Sequence, residues 1–311
     1  MGRPAICILP AERCGVESLA NLFSLPKKGA TIVVGSPKIG GATGGPTRAF
    51  ALIQGEGEPP AQDWKVVMTV ELNCDMGESF GLYHIGDDEG LMPLISVANV
   101  ACGFHASDPN HMAHTVRLAK ENGVRVGAHP SLPDLQGFGR REMKIDRDEL
   151  ANIIVYQVGA LKGFLEAEGM ELNHIKPHGS LYGMAARMEE VAHAVCDATD
   201  VFKVPLFGMA NTLHEEVYQA RGHHFVAEYY TDLPYRDDGS LIITREHESV
   251  DPAEAAARSL RAIEEGKTKS VNGVDVAVGA DCICVHSDTP NAVEIAIAVR
   301  DAVKPYLAKA A

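Results

Sequence analysis

A chain of 311 residues with 46% hydrophobic and 23% charged side chains has ample apolar material for a large core and none of the bias of a disordered polymer. Its formal net charge of −14 argues against nucleic acid or an anionic membrane surface as the main partner, because both need a positive field. A small anionic substrate stays open, since one local arginine or lysine overrides the global field. The seven cysteines are odd in number, irregularly spaced and without a C-x-x-C pair, so no disulfide framework is expected. Cys282 and Cys284 share one face of an apolar run and read as small buried residues in a reducing cytoplasm. No apolar run approaches the ~18–20 residues of a membrane span. The N-terminus lacks the layout of a signal peptide, and the expected location is cytoplasmic.

In chain order, residues 1–67 read differently from the rest, with Gly- and Pro-rich stretches at 35–46 and 55–60. No G-K-[ST] follows the glycines, so they are expected to form a flexible segment and not a phosphate cradle. Met68 stands just before the first convincing strand, which predicts a loosely ordered extension over 1–67 and a folded domain over 68–311. Strands are expected at 69–73, 96–102, 125–128, 174–176, 204–208, 225–229 and 282–286, with helices between them. Ser107-Asp108-Pro109 is a cap followed by proline at the first helical position, and that helix should stop at Asn122-Gly123. Asp146 with Glu149 resembles a capping box. Leu150, Ile153, Ile154, Val158 and Leu161 then form one apolar face before Gly169 ends the helix. Thr289-Pro290 opens a last helix. Such alternation predicts parallel strands with right-handed crossovers, and about seven units suit a closed (β/α) barrel. The absence of G-x-G-x-x-G after the first strand argues against a dinucleotide-binding sheet.

In such a barrel the active site is built from the C-terminal ends of the strands. Here successive strands end in Asp75 and Glu78, His105, His129, Lys176 and His178, then Glu228 and Asp232, then His286 and Asp288. Each has a bland alternative. Asp108 and Asp288 precede helix-starting prolines and are suited to capping. Asp75 and Glu78 could serve the opening turn of a helix, and each histidine alone could be an ordinary hydrogen-bonded one. Jointly, three histidines on different strands pointing to one mouth favour function. Lys176 lies in an apolar stretch where an unpaired ammonium is costly, and Asp75 or Glu78 is its natural partner. His111 and His114 share a helix face without an H-E-x-x-H context and read as solvated; His223 and His224 read as structural or exposed. The segment 127–141 is too long for a minimal loop. Its Phe138 and Arg140 suggest a binding loop, with the Arg140 fork the first choice for a substrate carboxylate.

Seven strings occur in order: Leu72-Asn-Cys-Asp-Met-Gly-Glu78, Asn99-Val-Ala-Cys-Gly-Phe-His105, Gly127-Ala-His-Pro130, Gly137-Phe-Gly-Arg140, Tyr156-Gln-Val-Gly-Ala-Leu-Lys-Gly163, Lys176-Pro-His-Gly179 and Val285-His286 with Asp288. Together they resemble the LamB/YcsF family from about Met68 to near the C-terminus. The resemblance implies an α/β fold, a (β/α)7-type barrel like that of glycoside hydrolases and polysaccharide deacetylases. It implies the A subunit of a 5-oxoprolinase, a hydrolase that opens 5-oxoproline to glutamate at the expense of ATP. Two further subunits resembling allophanate hydrolase subunits would be its partners, and older naming links the family to lactams such as 2-pyrrolidinone. On this reading Asp75, Glu78, His105, His129, Lys176 and His178 are the expected catalytic residues, with Asn73, Asn99, Phe138, Arg140, Glu228, His286 and Asp288 around the substrate. Asp75 or a nearby histidine would be the general base, and Lys176 and His178 would stabilise the oxyanion or protonate the leaving nitrogen. No nucleotide motif is present, so ATP as co-substrate would act through a partner or a cryptic site; a divalent metal is left open. This chain departs from the family pattern at Cys74 (usually Ala), Gly183 (usually Asn), Ser287 (often Gly) and Asp232-Leu-Pro-Tyr235, where an arginine is usual. Rival readings are a metal-dependent deacetylase, whose Asp pair and H-x-x-x-H are absent, and a non-catalytic lactam-binding or regulatory subunit.

Overall fold

The computed structural model describes residues 69–244 and 247–307, and the backbone of two strands before them. The chain divides into two compact units, Met1–Trp64 and Lys65–Ala311. Within the first, β1 (Ala30–Gly35) pairs antiparallel with β2 (Arg48–Ile53), from Ala30 opposite Ile53 to Gly35 opposite Arg48. The sequence predicts a loosely ordered extension over 1–67 without naming strands there; Thr31, Ile32, Val33 and Val34 in the first run and Phe50 and Ile53 in the second are residues that favour strands. The glycine-rich stretch between them and Met68 lie outside the described residues.

The second unit is a closed barrel of seven parallel strands, in the order β11-β3-β4-β5-β6-β7-β8. These are β3 (Glu71–Met76), β4 (Val97–Ala101), β5 (Arg125–His129), β6 (Leu172–Ile175), β7 (Leu206–Gly208), β8 (Phe225–Tyr230) and β11 (Cys282–His286). A small ribbon, β9 (Lys267–Lys269) with β10 (Asp275–Ala277), stands outside it. The helices are α1 (Asp88–Leu91), α2 (Pro109–Glu121), α3 (Arg147–Ala167), α4 (Gly179–Ala185), α5 (Glu189–Phe202), α6 (Leu213–Ala220), α7 (Pro252–Glu265) and α8 (Ala292–Val303). All seven expected strands are present, with ends shifted by a few residues. The α2 start is as expected: the Asp108 carboxylate accepts from the amides of Asn110 and His111. Two other starts differ. Asp146 heads α3 without a side-chain cap bond, and α8 begins at Ala292 behind Asn291, two residues after Pro290. Among the described residues no helix is long and apolar enough to cross a membrane.

Parallel strands buried on both faces usually read as continuous apolar runs. Here they alternate. Leu72, Cys74 and Met76, Ala98 and Val100, Val126 and Ala128, Ile175, and Ile283 and Val285 belong to the main core, which takes in Ile154, Val158, Leu161 and Leu165 of α3. The intervening positions form the barrel's other face. One end is apolar, where Val97, Phe207 and Cys282 cluster with Val226, and the rest is polar. The register aligns this polar face: Asp75 pairs across from Asn99 on one side and His286 on the other, and Ala101 from His129. A bulge between β5 and β6 puts one extra β6 residue opposite Gly127. A Cβ on Gly127 would lie 2.0 Å from the His174 ring. Gly127→Ala is therefore expected to displace His174 and destabilise the protein by about 1–3 kcal/mol, the usual range for overpacking. Chemical denaturation checks this; an unchanged midpoint would show that the interior has slack.

Candidate active site

Three tiers of polar side chains stand above the apolar end. The lowest is a hydrogen-bonded chain, fully buried: His174 Nε2 donates to Asn99 Oδ1 at 2.7 Å, and Asn99 Nδ2 donates to Asn73 Oδ1 at 2.9 Å and Asp75 Oδ1 at 2.8 Å. Asn73 and Asn99, expected to touch substrate, instead lie beneath Asp75 and outside the lining of the small cavity: Asn99 holds one Asp75 oxygen, and Asn73 accepts from Asn99 and donates to Cys282 Sγ at 3.2 Å. The correction follows from strand periodicity: an inward residue two positions before the strand end is one tier deeper.

The middle tier is a buried ion triad. Lys176 Nζ lies 2.8 Å from Asp75 Oδ1, 3.0 Å from Glu228 Oε1 and 3.1 Å from Cys284 Sγ. Burial opposes the ammonium, but Asp75, Cys284 and Glu228 hold its pKa well above the usual lysine value. Burial likewise would raise Asp75, yet His129, Lys176 and His286 keep it well below the usual carboxylate range. The Cys284 thiol is pushed up by burial and stays protonated. Glu228 accepts a 2.6 Å bond from the Tyr230 hydroxyl and balances Lys176; it stands outside the small cavity beside Asp75 and borders a second, larger one.

The upper tier is an imidazole cluster. His129 Nδ1 is 2.8 Å from the Lys176 carbonyl and His178 Nε2 is 2.8 Å from the Phe138 carbonyl. A carbonyl only accepts, so both nitrogens carry hydrogens. The remaining ones, His129 Nε2 and His178 Nδ1, face each other at 3.0 Å, with Asp75 Oδ2 3.2 Å from the first and Glu78 Oε1 3.5 Å from the second. His105 stacks on His178 at 3.6 Å between ring centres, with its Nε2 3.0 Å from Glu78 Oε1. Burial, then neighbouring imidazoles, drive His105 and His178 well below the usual histidine value. Burial, then Asp288 and Asp75, push Glu78 well above the usual carboxylate value. Phe138, at a positive φ of 56°, sets its ring edge-on to His105 and His178. The neighbouring Gly139 passes so close that a Cβ there would lie 2.8 Å from the His178 ring.

Across from this cluster, His286 Nδ1 bonds Asp232 Oδ1 at 2.8 Å, and its Nε2 lies 3.7 Å from Asp75 Oδ2. Burial disfavours the imidazolium, but Asp232 outweighs it and raises the His286 pKa; the same contact lowers Asp232. Arg140, expected to grip a substrate carboxylate, is already paired: its Nη2 is 2.8 Å from Asp288 Oδ2, and Asp288 also meets His247 Nδ1 at 3.2 Å. Asp288 is thus a site anion and not a helix cap. Burial resists its ionisation, and His247 and Arg140 overcome that. His111 and His114 sit on the outer face of α2, as expected, and His223 and His224 stay outside the site.

These groups line a cavity of about 30 Å3 bounded by Asp75, His129, Arg140, Lys176, His178, Tyr182, Tyr230, His247 and His286, and covered by Leu233, Leu241 and Ile243. That is room for about two waters. A cavity of about 270 Å3 lies to one side between Met209 and Asp275 and touches the polar column at Glu228 alone. The sequence reading passed over His174, Cys284, Tyr182, Tyr230 and His247. The first four occupy strand or helix positions whose inward direction is readable by period; His247 lies in an irregular stretch with no such signal. Among the described residues, two side-chain groups have the donor chemistry to hold a metal ion: Glu78, His105, His129 and His178, and Asp75, Cys284 and His286.

The LamB/YcsF family model matches residues 70–309, nearly the whole second unit. The chain belongs to the LamB/YcsF family. Among LamB/YcsF relatives, the 5-oxoprolinase A subunit of Thermus thermophilus is 46% identical over 241 residues, spanning 76% of this chain and 96% of that protein. The Bacillus licheniformis protein of the same description is 45% identical, spanning 74% and 93%. The lactam utilization protein lamB of Emericella nidulans is 48% identical, spanning 72% and 90%. The crystal structure of a lactam utilization protein from Thermus thermophilus superposes with a TM-score of 0.71 at 45% identity, covering 76% of this chain and 96% of that one.

Proposed function

We propose that this chain is the hydrolytic A subunit of a 5-oxoprolinase, opening the lactam of 5-oxoproline to glutamate in an ATP-dependent reaction with partner subunits. The observation that carries the reading is the pairing, beside one small cavity, of two titratable groups shifted in opposite directions, Asp75 made more acidic and His286 more basic, with Asp75 Oδ2 facing His286 Nε2 at 3.7 Å. Two titratable groups whose surroundings push them apart are the pattern of an acid and a base in one site. The near full-length likeness to proteins described as 5-oxoprolinase A subunits supports the substrate, and that they are named as subunits supports partners.

Hydrolysis needs water to add to the ring carbonyl carbon, the C–N bond to break, and the nitrogen to gain a proton. Asp75 Oδ2, the oxygen that Lys176 leaves disengaged, takes the proton of the attacking water. His286, backed by Asp232 on its other ring nitrogen, delivers a proton to the ring nitrogen as it leaves. Lys176 keeps Asp75 ionised and fixed. A carboxylate held so acidic is a weak base, which fits a carbonyl activated first by phosphorylation of the lactam oxygen; breaking the C–N bond then leaves the new carboxyl as its acyl phosphate, which a second water hydrolyses to glutamate and phosphate. ATP is then a co-substrate handled with the partners, since the chain carries no nucleotide-binding motif. A cavity of about 30 Å3 is smaller than the lactam, so binding requires the site to widen.

The test is glutamate formation from 5-oxoproline and ATP by the purified chain, by itself and with subunits resembling those of allophanate hydrolase. Release that requires both ATP and the partners is the expected result. Formation of 4-aminobutyrate from 2-pyrrolidinone with no glutamate from 5-oxoproline would replace the substrate, and no ring-opened product from either lactam would reject the hydrolytic reading.

A further inference from the structure

The imidazole cluster turns more acceptor atoms towards one point than its ring protons can serve. His129 and His178 each commit one ring nitrogen to a backbone carbonyl, so their other nitrogens offer lone pairs to each other at 3.0 Å. Asp75 Oδ2 and Glu78 Oε1 bring two more acceptors to the same point. One proton on His129 Nε2 can satisfy one of these neighbours and leaves the others facing lone pairs.

We infer that Glu78, His129 and His178, with His105 as a neighbouring fourth donor, form a binding site for a divalent transition-metal cation of the zinc class. Imidazoles oriented by N–H donation to carbonyls are how proteins fix metal-ligating histidines, and two imidazoles with one carboxylate suit zinc, cobalt or iron. The Ser287 hydroxyl, 3.4 Å from Glu78 Oε2, holds the carboxylate from behind. The outer ring nitrogens are fixed by Phe138 on the binding loop and by Lys176 at the end of β6, so the donors are placed before any ion arrives. Such a cation polarises a substrate oxygen or lowers the pKa of a bound water. The inference deepens the lactam reading, but its readout is metal binding and does not depend on turnover.

The full chain, stripped with chelator and shown folded by circular dichroism, is titrated with Zn2+ and with Co2+, whose visible absorption reports tetrahedral or five-coordinate imidazole ligation. About one equivalent should bind, with the cobalt spectrum weakened and affinity lowered by more than ~100-fold in His178→Gln and in Glu78→Gln. His111→Ala, on the outer face of α2, should bind like the wild type. Failure of the folded wild type to bind either ion below millimolar concentration would overturn the site. So would undiminished binding in both site variants, or loss in His111→Ala alone, which would assign the ion to the surface helix pair.

Discussion

Lys176→Met should lower the unfolding free energy by about 3–5 kcal/mol, as removal of one partner from a buried ion cluster does. Lys176 is 1% exposed and is the cation between Asp75 and Glu228, both also buried. Methionine fills similar space, so the cost comes from two carboxylates left without their counter-ion, not from a void. Those carboxylates must then either stay charged in a poorly solvating interior or take up protons as the protein folds. The double variant Lys176→Met, Glu228→Gln should recover part of the loss, because one of the stranded charges is gone. Urea denaturation at neutral pH measures both. A loss under ~1 kcal/mol for the single variant would mean that water reaches the triad and that the polar column is not sealed.

Acidification is the second large lever, and its sign follows from two buried histidines, His214 outside the polar column and His174 in its lowest tier. His214 is fully buried, with Nδ1 accepting from the Met209 amide at 3.0 Å and Nε2 donating to the Tyr182 carbonyl at 3.0 Å; burial lowers its pKa to about 3. Burial, then Lys176, lowers His174 well below the ordinary value. Both bind protons more readily unfolded than folded. The stability they contribute is therefore present above about pH 6.5 and declines as the pH falls, for His214 down to about 3. Each costs up to about 1.4 kcal/mol per pH unit below 6.5. His286 runs the other way: its raised pKa contributes stability fully present below about 6.5 and lost as the pH rises through its folded value. The unfolding midpoint should therefore fall steeply from pH 6.5 to pH 5, with a shallower loss on the alkaline side. His214→Gln should flatten the acid limb by about one proton. A midpoint unchanged between pH 7 and pH 5 would contradict the burial of these rings.

The barrel and the strand ends were readable because they rest on two periodicities, the helix repeat on the outer layer and strict alternation within each strand. Asp75, His129 and Lys176 stand at the C-terminal ends of β3, β5 and β6, and the register brings them together without help from the loops. Depth was harder to read. Asn73 and Asn99 carry the same inward signal as Asp75 but stop one tier lower, and Glu228 is spent on Lys176. Partnerships across long loops were not readable at all. Arg140 has the charge and the setting for a substrate carboxylate, but whether its fork is already taken depends on Asp288 and His247, which arrive from the far end of the chain. Cys284 was read as a small apolar residue because a thiol in an apolar strand gives no sign that an ammonium will lie 3.1 Å away. The β1–β2 pairing was missed because the glycines around it dominated the composition.

The central claim is that the end of the barrel carrying Asp75 and His286 is where the lactam is opened. Glutamate release from 5-oxoproline by the reconstituted enzyme, with Asp75→Asn compared against wild type and each variant shown folded at the assay temperature, tests it most directly. Loss of about 100-fold or more in kcat, the scale of removing a general base, is the predicted result. Wild-type turnover in a folded Asp75→Asn enzyme would contradict the account and move the chemistry out of this site.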